Sequence, residues 1–137
     1  MLQKTLVIIK PDAVMKDVAT EIIDRYLAKG LTLLERKDLS MTLQRAKEFY
    51  SEHAGKFFFE GLVLAMTSWP VVALLLEGEE AVAMVRELNG ATIPAEALPG
   101  TIRHDFRSAG GPFNTVHGSD SLVSAAREIA LIFGMEQ

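Results

Sequence analysis

Short apolar runs and longer stretches of helical spacing take turns along this chain. Thr5 to Ile9 is a compact apolar run that predicts a buried strand, with Lys10 at its end and Pro11 to stop it. Ala19, Ile22, Ile23, Tyr26 and Leu27 then recur at the spacing of one helix face, and Gly30 stands where a C-cap belongs. Leu31 to Leu39 predicts a second strand, and Thr42 is placed to cap a helix carrying Leu43, Ala46, Phe49 and Tyr50. Leu62 to Met66 reads as a third strand, followed by a short helix entered at Pro70. Val82, Val85 and Leu88 mark a helix stopped by Asn89-Gly90. A short β-type run precedes His117, and Leu122, Ala126, Ile129 and Phe133 form the apolar stripe of a last helix.

This order predicts an α+β fold, a few-stranded antiparallel sheet covered by helices on one face. The face left open would need a partner. No repeat, low-complexity tract or linker divides the chain, so one domain over 1–137 is expected. Gly90 to Phe113 is the exception to the pattern: it has no apolar period and holds Pro94, Pro99, Gly100, Gly110, Gly111 and Pro112. A structureless segment of that length in a compact domain is either functional or a sign of a wrong element assignment. The functional option is taken, because the segment also carries Thr92, Thr101, Arg103 and Arg107, side chains suited to phosphate oxygens.

Composition narrows the chemistry. Hydrophobic residues make up 49% and charged residues 23%, ordinary for a soluble globular protein. A net charge of −4 argues against a general attraction to nucleic acid or membrane surfaces, so a phosphate site must be a local cluster. The absence of cysteine excludes a thiolate metal site and a cysteine nucleophile. Met1-Leu2-Gln3-Lys4 leads into an apolar run too short for a signal peptide or a membrane span, and a cytoplasmic location is expected.

The chemistry concentrates at Asn114-Thr115-Val116-His117-Gly118-Ser119-Asp120-Ser121. A histidine here stands between a strand and a helix N-terminus, where anions are favoured and Ser119, Asp120 or Ser121 can cap. Imidazole is the side chain best matched to carrying a labile group near neutral pH. The chain has no glycine-rich phosphate loop ending in Lys-Ser/Thr, so phosphates would be held by side chains such as Lys10, Arg86, Thr92 and Arg103.

Ile9-Lys10-Pro11-Asp12-Ala13-Val14, Tyr50, Phe57-Phe58, Gly90-Ala91-Thr92, Pro99-Gly100-Thr101-Ile102-Arg103 and His117-Gly118-Ser119-Asp120-Ser121 resemble the signature blocks of nucleoside diphosphate kinases. They run in that family's order from residue 9 to 128, and the short end after Phe133 resembles its compact bacterial form. The resemblance implies a ferredoxin-like βαββαβ core with a four-stranded antiparallel sheet and helices packed on it. It implies transfer of the γ-phosphate of a nucleoside triphosphate to a diphosphate through a phosphohistidine on His117. By the same resemblance Glu128 would bond the non-reacting ring nitrogen, although the helical wheel alone makes Glu128 a solvated charge. Lys10 would reach ribose and phosphates, Asn114 the sugar hydroxyls, and Arg86, Thr92 and Arg103 the phosphates. Tyr50 would sit close to the imidazole and Phe58 would stack on the base, leaving Phe57 and Phe59 to the core. Mg²⁺ would be held mainly by the nucleotide phosphates, with no dedicated protein site, and the chain would form a tetramer or hexamer.

Four features depart from the family pattern. Phe57 stands where proline is usual, Trp69 where a glycine precedes Pro70, and Ile93 where an asparagine precedes Pro94. The segment between Phe106 and Asn114, through Gly110-Gly111-Pro112-Phe113, is one residue longer and bears on the far wall of the base slot. Two other readings fit parts of the sequence. One is a non-catalytic ferredoxin-like module for sensing or assembly; the other, nucleic-acid binding, is disfavoured by the acidic balance.

Overall fold

The computed structural model describes residues 1–134. The expected domain end at 137, and the tail beyond Gly134, lie outside them. Four strands, β1 (Leu2–Ile9), β2 (Thr32–Leu39), β3 (Val71–Glu79) and β4 (Val116–Gly118), form one antiparallel sheet in the order β2-β3-β1-β4. The helices are α1 (Pro11–Met15), α2 (Ala19–Ala28), α3 (Leu43–Phe49), α4 (Phe59–Thr67), α5 (Ala81–Asn89), α6 (Ile102–Asp105) and α7 (Leu122–Phe133). Strand order and connections are those of a ferredoxin-like unit.

β1 and β3 are the two central strands, and Leu6 to Ile9 of β1 are fully buried. Alternate side chains of β1 enter two cores. Leu6 and Ile8 meet Phe49, Met66, Ala125 and Ile129 on one face. Val7 and Ile9 meet Ile22, Tyr26, Val85 and Ile102 on the other. Edge strand β2 stays mostly exposed, whereas the central strands β1 and β3 are covered on both faces, where the sequence predicts an open one. The reason is α4. Leu62 to Met66 lies inside this helix, not in a strand, and the segment after Pro70 is strand β3 rather than a helix. A short unbroken apolar run has no periodicity that separates helix from strand, and Leu64 is apolar although 63% exposed. Here leucine, alanine and methionine favour the helix, while Val71 to Leu76 is buried on both faces as a central strand should be.

Local signals set the ends of the other elements. The Thr42 hydroxyl accepts the Arg45 N–H at 3.1 Å and opens α3. Ser121 caps α7 by accepting the Ser124 N–H at 3.0 Å. The buried face of α7 is Ala125, Glu128, Ile129 and Ile132, turned from the stripe expected, so Leu122 is 44% exposed and Glu128 points inward.

Gly90, at φ 84° and ψ −174°, ends α5 in a conformation open only to glycine. A Cβ there would lie 2.6 Å from the Thr101 side chain. Strain and overpacking combine, so Gly90→Ala is expected to cost about 2–5 kcal/mol. Urea unfolding of the variant checks this, with a clear loss of midpoint as the expected result.

Candidate active site

A cleft of about 620 Å³ opens between the α3–α4 region, the long loop and the start of α7. His117 enters it from β4, directly opposite Ile8 of β1. Its Nε2 lies 2.8 Å from Glu128 Oε1. The same carboxylate oxygen accepts the Ser119 hydroxyl at 2.8 Å, and the Ser119 hydroxyl also accepts the Leu6 N–H at 3.3 Å. A carboxylate can only accept, so this geometry puts the ring proton on Nε2 and leaves Nδ1 with its lone pair. Nδ1 has no protein partner among the described residues. Phe49 packs edge-on to the imidazole, with ring centroids 4.9 Å apart.

Lys10 follows the end of β1 and is almost fully buried. Its ammonium donates to Asn114 Oδ1 at 2.8 Å and to the Pro112 carbonyl at 3.1 Å. Burial lowers its pKa to about 8; the nearby Asp12 charge opposes that shift and Arg103 adds to it. The Asn114 amide also donates to the Thr92 carbonyl at 3.1 Å. It thus ties strand end to loop while retaining one N–H and one lone pair for a ligand.

The turn behind Asn114 is strained. Thr115 has φ 75°, and Val116 N–H donates to the Asn114 carbonyl at 2.8 Å, the signature of a γ-turn in its rare hand. The Asp12 carboxylate holds it by accepting the Thr115 N–H at 3.0 Å. Arg103, on α6, fixes the other side. Its guanidinium donates to the carbonyls of Asn114, Gly90 and Val116 at 3.2, 2.8 and 2.8 Å. Three of its five N–H groups hold backbone, and two remain for an anion. Arg103 is therefore a strut as well as a candidate phosphate ligand, a double duty that the sequence does not signal.

Arg86, in the last turn of α5, and Thr92 line the same cleft. The Tyr50 hydroxyl is buried there with no partner among the described residues. Burial first, then the negative charges of Glu128 and Asp12, push this phenol above its ordinary range, so it stays a neutral donor. Phe58 stands at the mouth, 38% exposed. The nine residues to which the resemblance gives a role all line this one cleft.

Thr101 and Arg107 do not join them. Phe57, expected in the core, is 99% exposed at the cleft mouth, whereas Phe59 does pack against the core. Half-exposed Trp69 lies outside the cleft. The extra residue near Asn114 is absorbed in a tight turn bridging Gly110 and Phe113, with Gly110 at φ 100° and Gly111 at φ 63°. Gly111 and Pro112 of that turn line the cleft. Sequence reasoning missed His53 and Asp120, which also line it. His53 was findable, since it stands three residues after Tyr50 and their rings lie 6.4 Å apart.

Among the described residues no cluster of three or more His, Asp or Glu could hold a metal ion. No helix in them is long and apolar enough to cross a membrane.

Comparison with known proteins places these features in a family context. A family model described as nucleoside diphosphate kinase matches residues 3–137. Nucleoside diphosphate kinases from Thermoanaerobacter sp. (strain X514) and from a Nitratiruptor species are each 50% identical to this chain. The first match covers 96% of the chain and 97% of the relative, the second 99% and 98%. The structure of the Aquifex aeolicus nucleoside diphosphate kinase is similar at a TM-score of 0.94 and 41% identity, over 97% of this chain and 96% of that one. That of the halophilic enzyme from Halobacterium salinarum in complex with CDP matches at 0.94 and 40%, over 98% and 90%.

The buried Lys10 gives the site a pH signature. Its charged form is favoured below about pH 8 and is lost above it. Affinity for inorganic tripolyphosphate, followed by calorimetry, is expected to fall above about pH 8 in the wild type and to lack that fall in Lys10→Arg. Stability moves the opposite way. A protonated Lys10 opposes burial, so this residue's contribution to folding rises with pH between about 8 and the ordinary lysine value of 10.5.

Proposed function

The chain belongs to the nucleoside diphosphate kinase family, and on that premise we propose that His117 carries the phosphoryl group between its two nucleotides. The family reaction moves the γ-phosphate of a nucleoside triphosphate to a nucleoside diphosphate and so supports NTP and dNTP synthesis. One observation carries the assignment of its nucleophile: Nε2 of His117 is engaged by buried Glu128 at 2.8 Å, in a cleft that also holds Lys10, Arg86 and Arg103.

In the first half-reaction the Nδ1 lone pair attacks the γ-phosphorus. The N–P bond forms as the bond to the β-phosphate oxygen breaks, and the diphosphate leaves with that electron pair. The ring gains positive character, which the Glu128 carboxylate stabilises through Nε2–H. In the second half a terminal oxygen of the acceptor diphosphate attacks the same phosphorus and the electron pair returns to Nδ1. Both halves use one pocket, as a covalent carrier allows.

Lys10, Arg86, Thr92 and Arg103 position the phosphates and offset their charge, the main requirement of phosphoryl transfer. Neutral Tyr50 donates toward the phosphoryl oxygens. Asn114 orients the ribose, and Phe58 offers a π-face that any base can use. For Mg²⁺, the donor set fits an ion held through the nucleotide, because magnesium keeps several waters and takes few protein ligands. The exposed Asp120 carboxylate on the cleft wall is the one nearest in sequence to His117 and suited to such a water. When bound, the metal would neutralise the charge of the bridged phosphates. A cytoplasmic location accords with the substrates.

His117→Ala is expected to abolish both half-reactions and to leave the fold and nucleotide binding in place. Incubation with labelled ATP and magnesium should leave label on the wild type that survives alkali and is lost in acid. Continued exchange in the variant would reassign the nucleophile.

We also propose a homo-oligomer, a tetramer or hexamer, with the long loop at a subunit boundary. The central strands, covered on both faces, cannot be the contact. Ile93 can, since it is 56% exposed and outside the cleft, with Leu98 of the same loop 72% exposed. An apolar side chain left in water forgoes about 25 cal/mol per Å² that a neighbouring subunit would recover. Ile93→Asn should therefore release a lower-mass species on dilution in analytical ultracentrifugation while saturated turnover changes little. An unaltered profile with impaired kcat would place Ile93 in the active-site wall.

A further inference from the structure

Phe57 has no place in either core. It is 99% exposed, and its ring meets Phe58 at a centroid distance of 5.4 Å and an interplanar angle of 89°. Both rings line the cleft that holds His117. Phe58 is braced on other sides by His53, with centroids 5.3 Å apart, and by the Lys56 ammonium 5.7 Å from its ring centre. The result is an aromatic corner, with one ring held in place and a second standing at right angles beside it in water.

The corner has a geometric consequence for a nucleotide. If a base lies flat on Phe58, as proposed above, it presents an edge to Phe57 in the T-shaped arrangement that aromatic quadrupoles prefer. A pyrimidine is a single six-membered ring, the size of the phenyl beneath it, and is used up in covering Phe58. A purine carries its six-membered ring on the side away from the sugar. With ribose and phosphates drawn inward toward Asn114 and Lys10, that ring extends outward to the mouth, where Phe57 stands. We propose that Phe57 is a specificity-determining residue, a second wall of the base subsite that favours purine over pyrimidine nucleotides. The inference rests on the stacking role given to Phe58.

Binding of ADP, CDP and inorganic tripolyphosphate to the wild type, Phe57→Ala, Phe57→Leu and Phe58→Ala tests both levels. Because Phe57 is fully exposed, its variants should keep the wild-type melting temperature. Phe57→Ala is expected to weaken ADP about three- to tenfold, the range for an edge-to-face pair, and CDP less than about twofold. Phe57→Leu should behave in the same way, because it keeps apolar area and loses the π-face. Tripolyphosphate should bind all four proteins alike. Phe58→Ala should weaken both nucleotides. An unchanged ADP-to-CDP ratio in the Phe57 variants, with both nucleotides weakened by Phe58→Ala, overturns the second wall and leaves the stacking role intact. No effect of Phe58→Ala on either nucleotide overturns the stacking role, and with it the corner. An unchanged ratio accompanied by dissociation of the assembly assigns Phe57 to a subunit contact and also overturns the proposal.

Discussion

The pairing of β1 with β4 in a single register, Ile8 opposite His117, is the constraint on which the site depends. Side chains alternate across a strand, so a slip of one residue would turn the imidazole away from Glu128 and Phe49 and into the opposite core. β4 is only three residues long, too short to hold a register by its own ladder. Contacts on either side hold it. Ser119 donates its N–H to the Leu6 carbonyl at 3.1 Å, and Lys10 donates its N–H to the Thr115 carbonyl at 2.9 Å. Gly118 leaves room for Asn89 and Val85, whose atoms would lie within 2.9 Å of a Cβ there. The strand that builds the core thus also aims the His117 ring into the cleft.

Around that ring the protein keeps polar groups dry before any substrate arrives. Lys10 and Arg103 are buried cations whose charged forms are disfavoured by burial, and Tyr50 is a buried donor without a partner among the described residues. Isolated, each would be a liability. Together they describe a negative ligand, because phosphate oxygens would supply what the ammonium, guanidinium and phenol lack. The backbone strain at Thr115 belongs to the same arrangement, since the turn that it closes carries Asn114 toward the cleft. Donors fixed in advance lose little freedom when charge moves between them.

Much of the fold was legible from helical spacing, caps and short apolar runs closed by turn residues. α2, α3 and α5 could be read from spacing and caps, β1 from its apolar run and the stop at Pro11, and β2 from the stretch between Gly30 and Thr42. α4 and β3 could not, since Leu62 to Met66 and Val71 to Leu76 are both unbroken apolar runs, and the two elements come out exchanged. α7 shows a subtler loss: its buried face turns by about one position, and that turn converts Glu128 from an apparent surface charge into the partner of His117. The chemical constellation was not legible from spacing at all. Lys10, Arg86, Arg103 and Asn114 meet through tertiary contacts that no local pattern encodes, and only the resemblance to a family brought them together beforehand. His53 fell outside even that guide, and Phe57, expected in the core, stands fully exposed.

The contacts that finish the site join the two ends of the chain. The Lys10–Asn114 bond spans 104 residues and the Leu6–Ser119 bond 113. On a ribosome, β1 therefore emerges long before the strand that completes one of its edges, and nearly the whole polypeptide must be made before Lys10 finds its partner. Until then that edge is open to misplaced pairing, the usual hazard of sheets built from distant segments. Such long-range closure also makes for slow folding relative to a helical protein of similar size. In return, a nascent chain that stops short of residue 116 lacks both His117 and the strand that completes the sheet, so the cleft forms only once residues 116–118 are made.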